Sequence, residues 1–256
     1  MDFFSGKNNK YSEVLFSLAR ECFFETYKED AEELGKVIKN TLLDLPGPRV
    51  MAPRKLSDKE QFTVKLFRPF SEILNSLEAI QNIPVYISRF PYKQNVSRCG
   101  YLRYHIENYL NELYILVQRY AYNLNVIDRI YKKTTLKQDV NLSTTKLRNL
   151  IKNTFNKSIF VRGSHVHQIR YSDNDVDRLS LIDTYLRSDD KYFTNIMKLL
   201  YKTAYSEIRS KWKKQMEKNF IYIKKFNEIY FNILSRVLIE DDKFNYPWDN
   251  RRHHVT

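Results

Sequence analysis

"YLRYHIENYLNELYILVQRYAYNLNVIDRIYKK", residues 101–133, decides the fold class. Ile106, Tyr109, Leu110, Leu113, Leu116, Val117, Tyr120 and Leu124 recur at intervals of one, three and four residues. That recurrence follows one face of an α-helix rather than the alternation of a strand. No Gly or Pro interrupts the stretch, so one long helix is expected. Its apolar stripe must be buried against other elements, and the rest of the chain offers helices.

Working outward, residues 189–238 also run without Gly or Pro, with Ile196, Leu200, Ala204, Ile208, Trp212, Met216 and Phe220 every four residues. One long helix or two in tandem is expected there. Upstream, Val14, Leu15, Leu18, Cys22 and Phe23 begin a helical segment that "LPGP", 45–48, should stop, since Pro cannot continue a helix and Gly suits its exit. Leu34, Val37, Ile38, Thr41 and Leu42 extend that segment's stripe. In "LSDKE", Ser57 and Glu60 have the spacing of a capping box for the next helix. Pro69 should kink or divide that helix. Residues 84–100, with two prolines, read as a loop. Residues 134–143 read as a linker, with Ser143 or Thr144 capping the helix that follows. The tail from Asp242 reads as irregular.

Five glycines and seven prolines in 256 residues are too few for the many turns of an all-β chain. The expected fold is all-α, a multi-helix bundle. It has a helical N-terminal region over 1–50 and a helical domain over 51–256, packed as one unit.

Composition narrows the function classes. No glycine-rich phosphate loop is present, and no Ser or Cys sits in a nucleophile elbow, so ordinary nucleotide cofactors and triad hydrolysis are not expected. Cys22 and Cys99 have neither metal-ligand spacing nor the number of a disulfide framework. No leader pattern and no run of about 18 apolar residues appears, so a cytoplasmic protein without membrane insertion is expected. The net charge is +13, yet residues 1–50 carry −2. The positive field of the remainder favours a polyanion, either nucleic acid or an anionic membrane surface. Between Lys191 and Arg236, eleven Lys/Arg face three Glu. Lys211, Lys213, Lys214 and Lys218 are the candidate nucleic-acid contacts.

The histidines suggest chemistry. In "VRGSHVHQ", 161–168, His165 and His167 stand one residue apart after Arg162. His-x-His brings two imidazoles to one side only in an extended chain, because two helical positions diverge by about 200°. Neither Cys nor another His lies near in sequence, so no metal or cofactor is expected. Histidine titrates near neutrality and can move a proton from a ribose 2′-hydroxyl. Arginine supplies a permanent forked cation for charge building on the phosphate. Five helical positions place Arg162 and His167 about 140° apart, so both can edge one groove.

This stretch resembles the R-x(4–6)-H motif of the HEPN superfamily, all-helical nucleases and nucleotide-binding proteins common in defence and toxin–antitoxin systems. The resemblance covers roughly residues 95–240, with the first fifty as an addition. It implies a homodimer whose two Arg–His pairs meet in one cleft and cut RNA without metal, leaving a cyclic phosphate. Arg162 would steady the phosphate, His167 move the proton and His165 assist. The earlier long helix would contribute polar support from Arg103, His105, Glu107 and Asn108. A cognate antitoxin protein is a further partner the resemblance implies. Arg98 and His105 also fit the motif's spacing, but they stand at the loop-to-helix junction where the long helix begins, whereas the family's motif follows that helix. Gly163 stands where the family often has a polar residue. The alternative reading is therefore a non-catalytic helical module that binds RNA or a protein partner.

Overall fold

Polar residues set where the helices begin. Asn9 caps α1 (Lys10–Leu42), its side chain accepting from the Ser12 N–H at 2.8 Å. Ahead of α2 (Asp58–Ser88), the expected capping box forms. The Ser57 N–H donates to Glu60 Oε2 at 2.7 Å, and the Glu60 N–H donates to Ser57 Oγ at 3.3 Å. Ser97 starts α3 (Arg98–Tyr131) by accepting from the Gly100 N–H at 2.9 Å. α4 spans Lys137–His165. Asp173 caps α5 (Asn174–Arg187), accepting from the Val176 N–H at 2.7 Å, and α6 runs Thr194–Leu238. This structure, a computed structural model, describes residues 9–44, 46–47, 55–90, 96–165, 173–187, 192 and 194–248. Within α1 and α4 the side chains of 24–35, 37–38, 41 and 157–165 lie outside that description. Among the described residues the chain is all-α apart from one two-residue hairpin.

Several sequence expectations need correction. α2 is not divided at Pro69, and it runs on through Pro84 to Ser88. Phe62, Leu66, Phe70, Ile73, Leu77, Ile80, Ile83 and Ile87 form one buried stripe along it. Burying each such side chain is worth about 1.5–3 kcal/mol, which together outweighs about 3 kcal/mol for a proline inside a helix. The region read as a loop is accordingly helical up to Ser88 and again from Arg98. The segment read as a linker is largely helical too, since α4 starts at Lys137. Thr144 caps nothing there. It is fully buried and donates to Asp128 Oδ1 at 2.8 Å. In the tail, β1 (Ile239–Glu240) pairs antiparallel with β2 (Lys243–Phe244), Ile239 opposite Phe244. Asp241 and Asp242 make the turn with φ of 46° and 58°, the left-handed region that aspartate tolerates.

The helical stripes are buried with one drift. In α3, Ile106, Tyr109, Leu113, Leu116, Val117, Tyr120 and Leu124 are buried as expected. In α6, Ala204, Ile208 and Met216 are buried, but Ile196 and Leu200 are exposed. A strict four-residue repeat advances about 40° per step beyond a 3.6-residue turn, so its start rotates away from the face its middle buries. Leu42, at the end of α1, is exposed as well.

Two compact units divide the chain: residues 1–71, 122–145 and 228–256 in one, 72–121 and 146–227 in the other. The first has an aromatic centre. Tyr11 meets Phe231 at 5.0 Å and Phe244 at 5.4 Å, and Phe70 meets Phe231 at 5.2 Å. Tyr131 donates to the Asn245 carbonyl at 2.7 Å, and Tyr230 to Asn123 Oδ1 at 2.8 Å. In the second unit Tyr120 and Phe155 pack on Phe226 at 5.2 and 5.0 Å, and Tyr120 donates to Asn227 Oδ1 at 2.9 Å. Arg119 holds α2 by donating to the Glu72 carbonyl and pairing with the Glu72 carboxylate, both at 2.8 Å. No helix among the described residues is long and apolar enough to cross a membrane.

Candidate functional site

The second unit carries a polar pocket of about 360 Å³ between the first turns of α3 and the last turns of α5. Cys99, Gly100, Arg103, Tyr104 and Glu107 line it from α3, and Ser180, Asp183, Thr184 and Arg187 from α5. Helical spacing explains the α3 side. Positions 103 and 107 stand one above the other on a helix face, and 100 and 104 flank them.

An ion-pair and hydrogen-bond frame fixes the walls. Asp183 pairs with Arg187 at 2.9 Å, one helical turn away. Tyr201 of α6 hydrogen-bonds to Asp183 and accepts the Cys99 N–H at 3.0 Å, satisfying one of the orphan donors of the α3 terminus. Burial, with that carboxylate second, pushes the Tyr201 hydroxyl far above its ordinary range, so it stays protonated. Burial likewise raises the Cys99 thiol. A thiol held protonated is a packing group here rather than a nucleophile. Arg103 reaches Asp177 at 3.6 Å, a loose pair.

Two groups at this pocket are under-used. Arg103 Nε and Glu107 Oε1 are buried and have no hydrogen-bond partner among the described residues. Each such atom costs on the order of 1–3 kcal/mol, and folded proteins rarely keep one without a use for it. A second pocket, of about 370 Å³ in the first unit, is lined by Leu136, Asp139, Arg236, Glu240, Asn245 and their neighbours. None of its lining side chains leaves a buried polar atom unpaired among the described residues. The α3–α5 pocket is therefore the stronger candidate.

No family model matches the chain, and no curated protein or solved structure matches it. The site must be read from its own chemistry.

The sequence-derived candidates are distributed as follows. Arg103 and Glu107 line the pocket. His105, two positions on, is turned away by about 200°. It is buried beside Tyr101 at 4.4 Å, Tyr104 at 5.2 Å and Tyr86 at 6.0 Å, with Nδ1 unpartnered among the described residues. Burial lowers its pKa. Asn108 is half-buried and is not a lining residue. Arg162 and His165 lie in the last turn of α4, and their side chains, like all of His167, fall outside the described residues. Arg98, the other motif match, lies over the rings of Phe90 and Tyr205, 5.8 Å from each. Among the described residues no three His, Cys, Asp or Glu converge as metal ligands.

On α6, Lys211 is ion-paired with Asp175, and Lys213 approaches Glu217 at 3.8 Å. Lys214 and Lys218 are exposed. The α5 half of the pocket escaped sequence reasoning, because "RYSDNDVD", 170–177, reads as a polar run and the stretch after it was given no element. The legible signal was Asp173 three residues before Val176, a cap ahead of the buried pair Val176 and Leu179.

Proposed function

We propose that the protein binds RNA and, as a HEPN-like helical endoribonuclease, cuts it without a metal ion. The observation that carries the binding half is charge. The chain is +13 overall, and Lys214 and Lys218 stand exposed on a helix with few acidic residues. Neutralising phosphates releases condensed counterions and drives such binding. The cleavage half rests on the motif resemblance at Arg162 and His167. His167 takes the proton of the 2′-hydroxyl as that oxygen attacks phosphorus. The bond from phosphorus to the 5′-oxygen breaks, and the leaving oxygen takes up a proton, with His165 assisting. The products are a cyclic phosphate and a 5′-hydroxyl. Arg162 balances the charge on the phosphate oxygens. In this reading the protein is a homodimer with two such pairs in one cleft, and a cognate antitoxin-type protein restrains it.

A second reading keeps the fold and drops the cut, and one observation favours it. Gly163 leaves the motif without the polar residue beside its arginine. Incubation of RNA with the protein in EDTA separates the two. The wild type should release cyclic-phosphate ends, and Arg162→Ala and His167→Ala should each lose at least a hundredfold in rate. Intact RNA with all three proteins would leave the binding module.

A further inference from the structure

We propose that the α3–α5 pocket is a guanine-reading site for that RNA, an inference that rests on the RNA-binding proposal. The electrostatics of the wall come first. Its ionised side chains are Arg103 and Arg187 against Glu107 and Asp183, and their charges cancel. Such a wall does not draw in a phosphate dianion. It suits a neutral ligand with strong dipoles, and a nucleobase is one.

The hydrogen-bonding pattern then selects the base. Arg103 offers a donor and Glu107 an acceptor, one helical turn apart on one face of α3, and each holds a buried polar atom with no partner among the described residues. The terminal torsion of glutamate is broad and two-fold, so the carboxylate turns into the pocket without leaving its rotamer. Two carboxylate oxygens are best met by two parallel donors. Guanine alone among the four RNA bases presents these, as its ring N1–H and its exocyclic amino group. The oxygen beside them, O6, is the acceptor that arginine commonly contacts in nucleic acids. Adenine and cytosine set a single amino donor beside an acceptor, and uracil sets one N–H between two acceptors. Each would leave one Glu107 oxygen unmet or repelled.

A stacking surface completes the site. Tyr104 lines the pocket with its residue 63% exposed. An exposed ring at the rim of a base-sized pocket serves any base, because every base has a π face. At about 360 Å³ the pocket has room for a purine, with the sugar and phosphate left at the mouth.

Calorimetric titration of the full chain with the uncharged nucleosides guanosine, inosine and adenosine tests this. Guanosine should bind most tightly, inosine, which lacks the amino group, more weakly, and adenosine more weakly still. Glu107→Gln should cost guanosine roughly five- to 150-fold in affinity and leave adenosine unchanged. Tyr104→Ala should weaken all three alike. Thermal melting of each variant confirms that it is folded. Equal affinity for guanosine and adenosine, no nucleoside binding, or a guanosine affinity indifferent to Glu107→Gln in a folded variant overturns the proposal. Loss of RNA cleavage in Arg162→Ala with guanosine binding intact concerns the nuclease alone. Guanosine binding by a protein that retains no RNA would overturn the RNA-binding proposal and leave the base chemistry standing.

Discussion

His105 shows what one residue's position decides. It sits two places from Arg103 and two from Glu107, yet its ring is buried among Tyr86, Tyr101 and Tyr104 while its neighbours line the pocket. Burial disfavours the charged imidazolium and lowers its pKa. The unfolded chain, with an ordinary pKa of about 6.5, therefore binds a proton at pH values where the folded chain does not. This contribution to stability is complete above about pH 6.5 and declines as pH falls through that value towards the lowered folded pKa. His105→Phe, which keeps a ring among the tyrosines, should lose less Tm than wild type between pH 7.5 and 5. Parallel Tm curves for the two proteins would rule the effect out. Of the residues that line the pocket, sequence reading singled out Arg103 and Glu107, together with His105 and Asn108, which do not line it. Arg103 and Glu107 share a face because they are four apart, and helix geometry alone says so. Ser180, Asp183, Thr184 and Arg187 meet them only through tertiary packing, which no local spacing encodes.

At the scale of the element, start and stop signals were each legible in part: α1 ends at Leu42, ahead of the "LPGP" stop, while the start read at Ser143 or Thr144 falls inside α4, which begins at Lys137. The Ser57–Glu60 box forms with both reciprocal bonds in place. Ser57 Oγ also donates to Glu60 Oε2 at 2.8 Å, and Glu60 is buried. Ser57→Ala should therefore destabilise the protein by about 0.5–2 kcal/mol. Urea unfolding should show a lower midpoint with an unchanged slope. A midpoint equal to wild type would mean the box adds nothing to α2. The proline signals misled for the opposite reason. Pro69 and Pro84 read locally as breaks, but the apolar stripe from Phe62 to Ile87 continues through both, and burial overrides the missing N–H donors. The short hairpin was invisible because Asp241–Asp242 lacks the glycine that usually announces such a turn.

For the whole molecule, composition was the informative level. Few glycines, few prolines and long apolar periods announce an all-α chain, and the structure is one among its described residues. The division into two compact units was hidden, because each gathers segments far apart in the sequence. Helices as long as α6, with 45 residues, contribute to both. Net charge acts at this scale too, and it makes the last prediction quantitative. For single strands, each phosphate contact steepens the fall of log affinity with log salt by about 0.7. Lys214 and Lys218 are exposed, whereas Lys211 and Lys213 are engaged by Asp175 and Glu217. Replacing the first pair by glutamine should flatten the salt dependence of RNA binding by about 1.4. Replacing the second pair should flatten it less, since removing those lysines also releases two carboxylates that they had neutralised. The measurement is RNA affinity at several salt concentrations for wild type and both double variants. Identical slopes for all three proteins would mean that α6 is not the surface that meets the phosphates, and binding without any salt dependence would remove the polyanion argument itself.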